Sequence, residues 1–104
     1  PSLVMLFAIP NAAKRSQRMG AYMKAEGMSA GVPDLFLAVP SPANDNRYHG
    51  LFIEMKRRNA TASATSPEQR DWLSRLANQS YRVAVCNGFE AARNAICEYL
   101  DVTP

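Results

Sequence analysis

The apolar positions of this chain form short continuous runs separated by two helical stripes and by polar, proline-bearing breaks. Leu3 to Ile9 is apolar throughout, as expected of a strand covered on both faces, and Pro10-Asn11 ends it. From Lys14 to Glu26, Met19, Tyr22 and Met23 recur at helical spacing while Lys14, Arg15, Arg18 and Lys24 fall largely elsewhere; Gly27 is a natural stop. After the turn Gly31-Val32-Pro33-Asp34, the run Leu35 to Val39 predicts a second strand. A polar loop, 40–46, leads to a third strand, Gly50 to Lys56, which is expected to lie antiparallel to the second. The stretch 57–65 is basic and then small and polar, as suits a surface loop.

Ser66-Pro67-Glu68-Gln69 predicts a helix start. Serine caps, proline takes the first helical position and Gln69 can close a capping box. Trp72, Leu73 and Leu76 give this helix its apolar stripe to about Asn78, with Trp72 read as core. Tyr81, Val83 and Val85 alternate with Arg82 and Ala84 as a fourth strand. Asn87-Gly88-Phe89-Glu90 repeats the capping pattern and opens a last helix with Ala92, Ala95, Ile96, Tyr99 and Leu100 inward. The predicted order is β-α-β-β-α-β-α. A helical crossover between strands three and four implies a parallel pair, and hence a mixed sheet.

At 104 residues the chain is read as one domain, 1–104, with room for one modest core. A net charge of +3 and a pI near 9.2 suit a polyanionic partner without specifying one. Cys86 and Cys97 have no second close pair, which excludes the usual structural zinc patterns and suggests buried thiols in a reducing, cytoplasmic compartment. No apolar run reaches the roughly 20 residues needed to cross a bilayer.

The candidate chemistry lies around the second and third strands. Glu54 and Lys56, at i and i+2, should project from one face, beside Asp34 at the mouth of the neighbouring strand. Asp34 and Glu54, with the Met55 carbonyl, are hard oxygen donors of the kind Mg²⁺ takes, and Lys56 could orient or deprotonate a bound water. Asn11, Lys14, Arg15, Arg18, Arg57 and Arg58 are candidate phosphate contacts, with a solvated surface as the competing account. His49 is expected on the surface, and Tyr48 has no feature favouring nucleic acid over packing.

The Gly-x-Pro-Asp turn, the strand Phe52-Ile53-Glu54-Met55-Lys56 and the helix Ser66-Pro67-x-Gln69-x-x-Trp72 resemble the PD-(D/E)xK nuclease superfamily. Within it they are most similar to the VRR-NUC domain, in particular its small stand-alone phage and prophage versions. The resemblance extends over nearly the whole chain, including Ala8-Ile9-Pro10-Asn11, Lys14-Arg15-Ser16 and Lys24-Ala25-Glu26-Gly27. It implies an α/β, restriction-endonuclease-like core: a mixed four-stranded sheet flanked by helices. It further implies a Mg²⁺- or Mn²⁺-dependent endonuclease with Asp34 and Glu54 as metal ligands, Lys56 as catalytic lysine and Gln69 as an accessory polar residue. The expected substrate is branched DNA, Holliday junctions included, cut by a homodimer in the cytoplasm of a bacterial host. The superfamily core opens with a helix that supplies another acidic residue, and this chain is expected to lack it. A non-catalytic DNA-binding or assembly module on the same fold is the alternative, and a restriction-type duplex nuclease a further one.

Overall fold

The computed structural model describes residues 2–10, 30–42, 47–61 and 64–103. The helix predicted over Lys14 to Glu26 lies outside them, as do Asn11, Lys14, Arg15 and Arg18. A short 3₁₀ turn, Ser2–Met5, leads into β1 (Leu6–Ala8); β2 (Leu35–Leu37) and β3 (Leu51–Lys56) follow. Then come α1 (Pro67–Asn78), β4 (Arg82–Asn87) and α2 (Phe89–Leu100). The strands form one sheet in the order β1-β2-β3-β4. β1/β2 and β2/β3 are antiparallel, while β3/β4 is parallel, as the helical crossover through α1 requires. This is the mixed α/β sheet the sequence implied.

Alternation along the strands sorts the sheet into two faces. Leu37, Leu51, Ile53 and Cys86 turn to one face and are buried beneath Ala92 and Tyr99 of α2, with Leu35, Met55 and Ala84 packed around them. The Tyr99 hydroxyl, brought into this core, donates to the Val39 carbonyl at 2.7 Å, so its burial leaves the donor satisfied. Burial raises the pKa of the Cys86 thiol above its ordinary value of 9.0. Both cysteines are free, Cys86 buried and Cys97 half-buried.

The other face is aromatic and then charged. Phe36 stacks on Phe52 at 4.2 Å, Phe7 meets Phe36 edge-on at 5.6 Å, and Tyr81 meets Phe52 edge-on at 5.2 Å. Glu54 and Lys56 continue the Phe52 side of β3 toward its C-terminal end.

Four expectations need correction. The first strand does not run from Leu3 to Ile9: the chain coils through the 3₁₀ turn, and only Leu6–Ala8 pairs. Its partner β2 is also only three residues long, held between Pro33 and Pro40, so there is no longer ladder to join. Nor is β1 covered on both faces. It is an edge strand, and Phe7 is 50% exposed. Asn87 does not cap α2. Gly88 occupies the cap without a side-chain bond, and Asn87 ends β4 with its Nδ2 donating to the Ala60 carbonyl at 2.8 Å. Finally, Trp72 is half-buried rather than fully enclosed, and α1 has no fully buried residue.

Candidate active site

The site grows from the C-terminal end of β3. Hydrogen bonds from Arg82 N–H to Gly50 C=O and from Gly88 N–H to Lys56 C=O show that the even-numbered backbone groups of β3 face β4. The odd-numbered groups therefore face β2. Met55 lies one pleat beyond the last β2–β3 pair, Leu35↔Ile53, so its N–H has no strand to meet. It donates instead to Asp34 Oδ2 at 2.8 Å. Asp34 thus replaces a missing backbone acceptor and is fixed to the strand end, with the Met55 carbonyl on the same edge.

The turn ahead of Asp34 is held by close packing. Gly31 has φ of +87°, and a Cβ there would stand 2.7 Å from both C and Cβ of Glu68. Only glycine both accepts that dihedral and lets the turn lie directly on the first turn of α1. Pro33 is buried beside it, so the aspartate leaves a rigid support.

Glu54 is 1% exposed, and Lys56 12%. A carboxylate so enclosed needs compensation. It is met by Gln69 Nε2, which donates to Glu54 Oε2 at 2.9 Å, and by the Lys56 ammonium at 3.4 Å from the same oxygen. Gln69 Oε1 in turn accepts from Lys56 Nζ at 2.7 Å and from the Ser66 N–H at 2.9 Å. The neighbours fix the amide orientation: the reverse flip would set an NH₂ against an ammonium and a C=O against a carboxylate. Ser66 Oγ accepts from the Gln69 N–H at 3.2 Å, completing the predicted capping box. One glutamine therefore caps α1 and bridges the acid and the lysine.

Of the predicted residues, the structure brings Asp34, Glu54, Met55, Lys56 and Gln69 to one strand end. Arg57 and Arg58 follow directly and are exposed. Two further contacts become visible only in the fold. The Ala64 carbonyl accepts from Lys56 Nζ at 2.7 Å, and Gly31 packs on Glu68. A backbone acceptor has no side-chain signature, whereas the glycine of the turn was the available signal for the second. Among the described residues no three His, Cys, Asp or Glu side chains cluster as metal ligands. Two carboxylates and a main-chain carbonyl nonetheless suit Mg²⁺ or Mn²⁺, since Mg²⁺ is commonly held by one or two carboxylates and retains several waters.

A solved structure described as a VRR_NUC domain protein matches with a TM-score of 0.77 and 25% identity, covering 98% of this chain and 72% of the other. A search of curated proteins returns no match. No helix among the described residues is long and apolar enough to cross a membrane. The profile of the VRR-NUC domain matches residues 3–90, which places it over the whole sheet, α1 and every residue of the site. The chain belongs to the VRR-NUC family of nuclease domains, whose substrate is DNA.

Proposed function

We propose that this chain is a Mg²⁺- or Mn²⁺-dependent endonuclease that hydrolyses phosphodiester bonds in branched DNA, acting as a homodimer. The observation that carries the reading is the single hydrogen-bonded group formed by Glu54, Lys56 and Gln69, with Asp34 fixed beside it on Met55. Asp34, Glu54 and the Met55 carbonyl would hold the cation. When bound, a divalent cation lowers the pKa of an attacking water and offsets charge on the phosphate. As an ammonium, Lys56 orients the water and faces the negative charge that grows on the phosphate oxygens; only as the neutral amine would it take the water's proton. Gln69 sets the direction of both Glu54 and Lys56 and so acts as a positioning residue. Arg57 and Arg58 extend the positive charge toward the DNA backbone. Two copies related by a two-fold axis would present two such sites to a two-fold junction, one for each strand.

A second reading, a DNA-binding module without catalysis, is favoured by one observation. The three donors of Lys56 already face three protein acceptors, on Glu54, Gln69 and Ala64. Labelled four-way junction, flap and linear duplex, incubated with Mg²⁺, Mn²⁺ or EDTA, separate the two. Cutting of branched substrates that EDTA stops is expected. Tight binding with no product in either metal would establish the module instead, and equal cutting of the linear duplex would remove the structural preference.

A further inference from the structure

Just past the C-terminal end of β4, two residues beyond the Asn87 that pairs with Lys56, the fold leaves an aromatic ring in solvent. Phe89 is 77% exposed, although it opens a helix whose other apolar residues turn inward. Its place follows from the sheet. Asn87 is opposite Lys56 in the parallel register, and the next N–H, of Gly88, donates to the Lys56 carbonyl at 3.0 Å. Gly88 turns the chain through φ of +87° and delivers Phe89 at the same end of the sheet as the candidate active site.

A cleft of about 480 Å³ opens there, walled by Arg58, Asn87, Phe89, Glu90 and Asn94. The size lies within the roughly 300–1,000 Å³ usual for small-ligand sites. The stem of Arg58 is packed rather than loose: a Cβ built on Gly88 would stand 3.4–3.5 Å from its Cα, Cβ and Cγ. An exposed phenyl face, an exposed arginine and a side-chain amide suit one kind of ligand. A base stacks on the ring whatever its identity, the arginine takes a phosphate, and the amide can reach a base edge. Arg58 is the one basic group on the wall and Glu90 the one acidic group. A base within a duplex has both faces covered by its neighbours and cannot use the ring.

We infer that Phe89 and Arg58 form a subsite for an unpaired nucleotide flanking the phosphate that is cut. The inference rests on the nuclease reading for the identity of its ligand, and it names the feature of branched DNA that this chain would recognise.

Binding measured in EDTA tests it without cleavage. Fluorescent splayed-arm DNA and fully paired duplex of the same sequence are titrated with wild type, Phe89→Ala, Phe89→Leu, Phe89→Trp and Arg58→Ala. A 2-aminopurine in the unpaired arm reports stacking. Wild type should prefer the splayed arm and quench the probe. Phe89→Ala and Phe89→Leu should each reduce that preference about tenfold, a loss in keeping with one base stacked on an aromatic ring, and Phe89→Trp should keep it. Arg58→Ala should weaken binding and flatten its salt dependence. Equal affinity of wild type for the two DNAs overturns the subsite, as does an unchanged preference in Phe89→Ala. Retention by Phe89→Leu would also overturn stacking, since leucine offers apolar area without a ring. Because Phe89 is exposed, unchanged circular dichroism is expected for all three replacements. Failure to cut DNA in the separate metal assay would sink the nuclease reading and leave this binding result intact.

Discussion

The two faces of β3 have the same backbone and opposite physics. Leu51 and Ile53 enter the core beneath α2, where each is at most 1% exposed and packs in the apolar cluster. Glu54 is equally enclosed on the other side, but its surroundings are an ammonium, an amide and the end of a helix. Removing hydrocarbon from water stabilises the fold on the first face. On the second, the same enclosure costs free energy, which the contacts of Lys56 and Gln69 offset. The lesson is that a single residue step along the strand separates residues that hold the domain together from residues held in place by it. Substitutions on the two faces should therefore fail in different ways.

The largest expected effect is on the charged face. Glu54→Gln and Asp34→Asn keep the shape and most of the hydrogen bonding of each side chain while removing its charge. Each should lower metal-dependent cleavage by about 10²–10³-fold or more, with native circular dichroism retained. Lys56→Ala should do the same, and should also cost stability, because it takes the counter-ion from a buried carboxylate. Its activity is therefore compared per folded molecule, measured by single-turnover cleavage. Wild-type rates in Lys56→Ala would remove that residue from the proposed chemistry. The next largest effect belongs to the opposite face. Ile53→Ala deletes a fully buried side chain and should cost about 3 kcal/mol in urea unfolding. Cleavage per folded molecule should change little. If Ile53→Ala abolished cutting in fully folded protein, the two faces would not be separable.

Much of this division was legible in the sequence. Period-two alternation gave β3 its faces, and the Ser-Pro-x-Gln start gave α1 its cap, because both depend on spacings within a few residues. The reading of β1 failed for the opposite reason. An unbroken apolar run does not distinguish a central strand from an edge strand preceded by a 3₁₀ turn, because only the length of β2 limits the pairing. The pattern Asn87-Gly88 failed as a cap because β4 claims Asn87 through its register with Lys56. Within the site, the side chains were legible and their backbone partners were not. Nothing local marks the Ala64 carbonyl as a lysine acceptor or the Met55 N–H as the donor that fixes Asp34. Both follow from where the ladder stops.

Gln69 is where the comparison between faces becomes least clean, because it serves fold and site together, and Ser66 lets the two be separated. Ser66→Ala removes the side-chain oxygen that accepts the Gln69 N–H, yet it leaves the Ser66-position N–H to hold Gln69 Oε1. The expected loss is about 1 kcal/mol of stability, as for other helix caps, read from the urea midpoint. If the amide is held mainly by Glu54 and Lys56, cleavage at saturating DNA should fall by less than about threefold. A much larger fall, with the helix still formed by circular dichroism, would mean that the cap positions the glutamine, and that the end of α1 belongs to the reactive face rather than to the scaffold. Gln69→Ala distinguishes the same alternatives from the other side. It removes the bridge outright, so it should reduce cleavage more than Ser66→Ala, whichever of the two costs more stability.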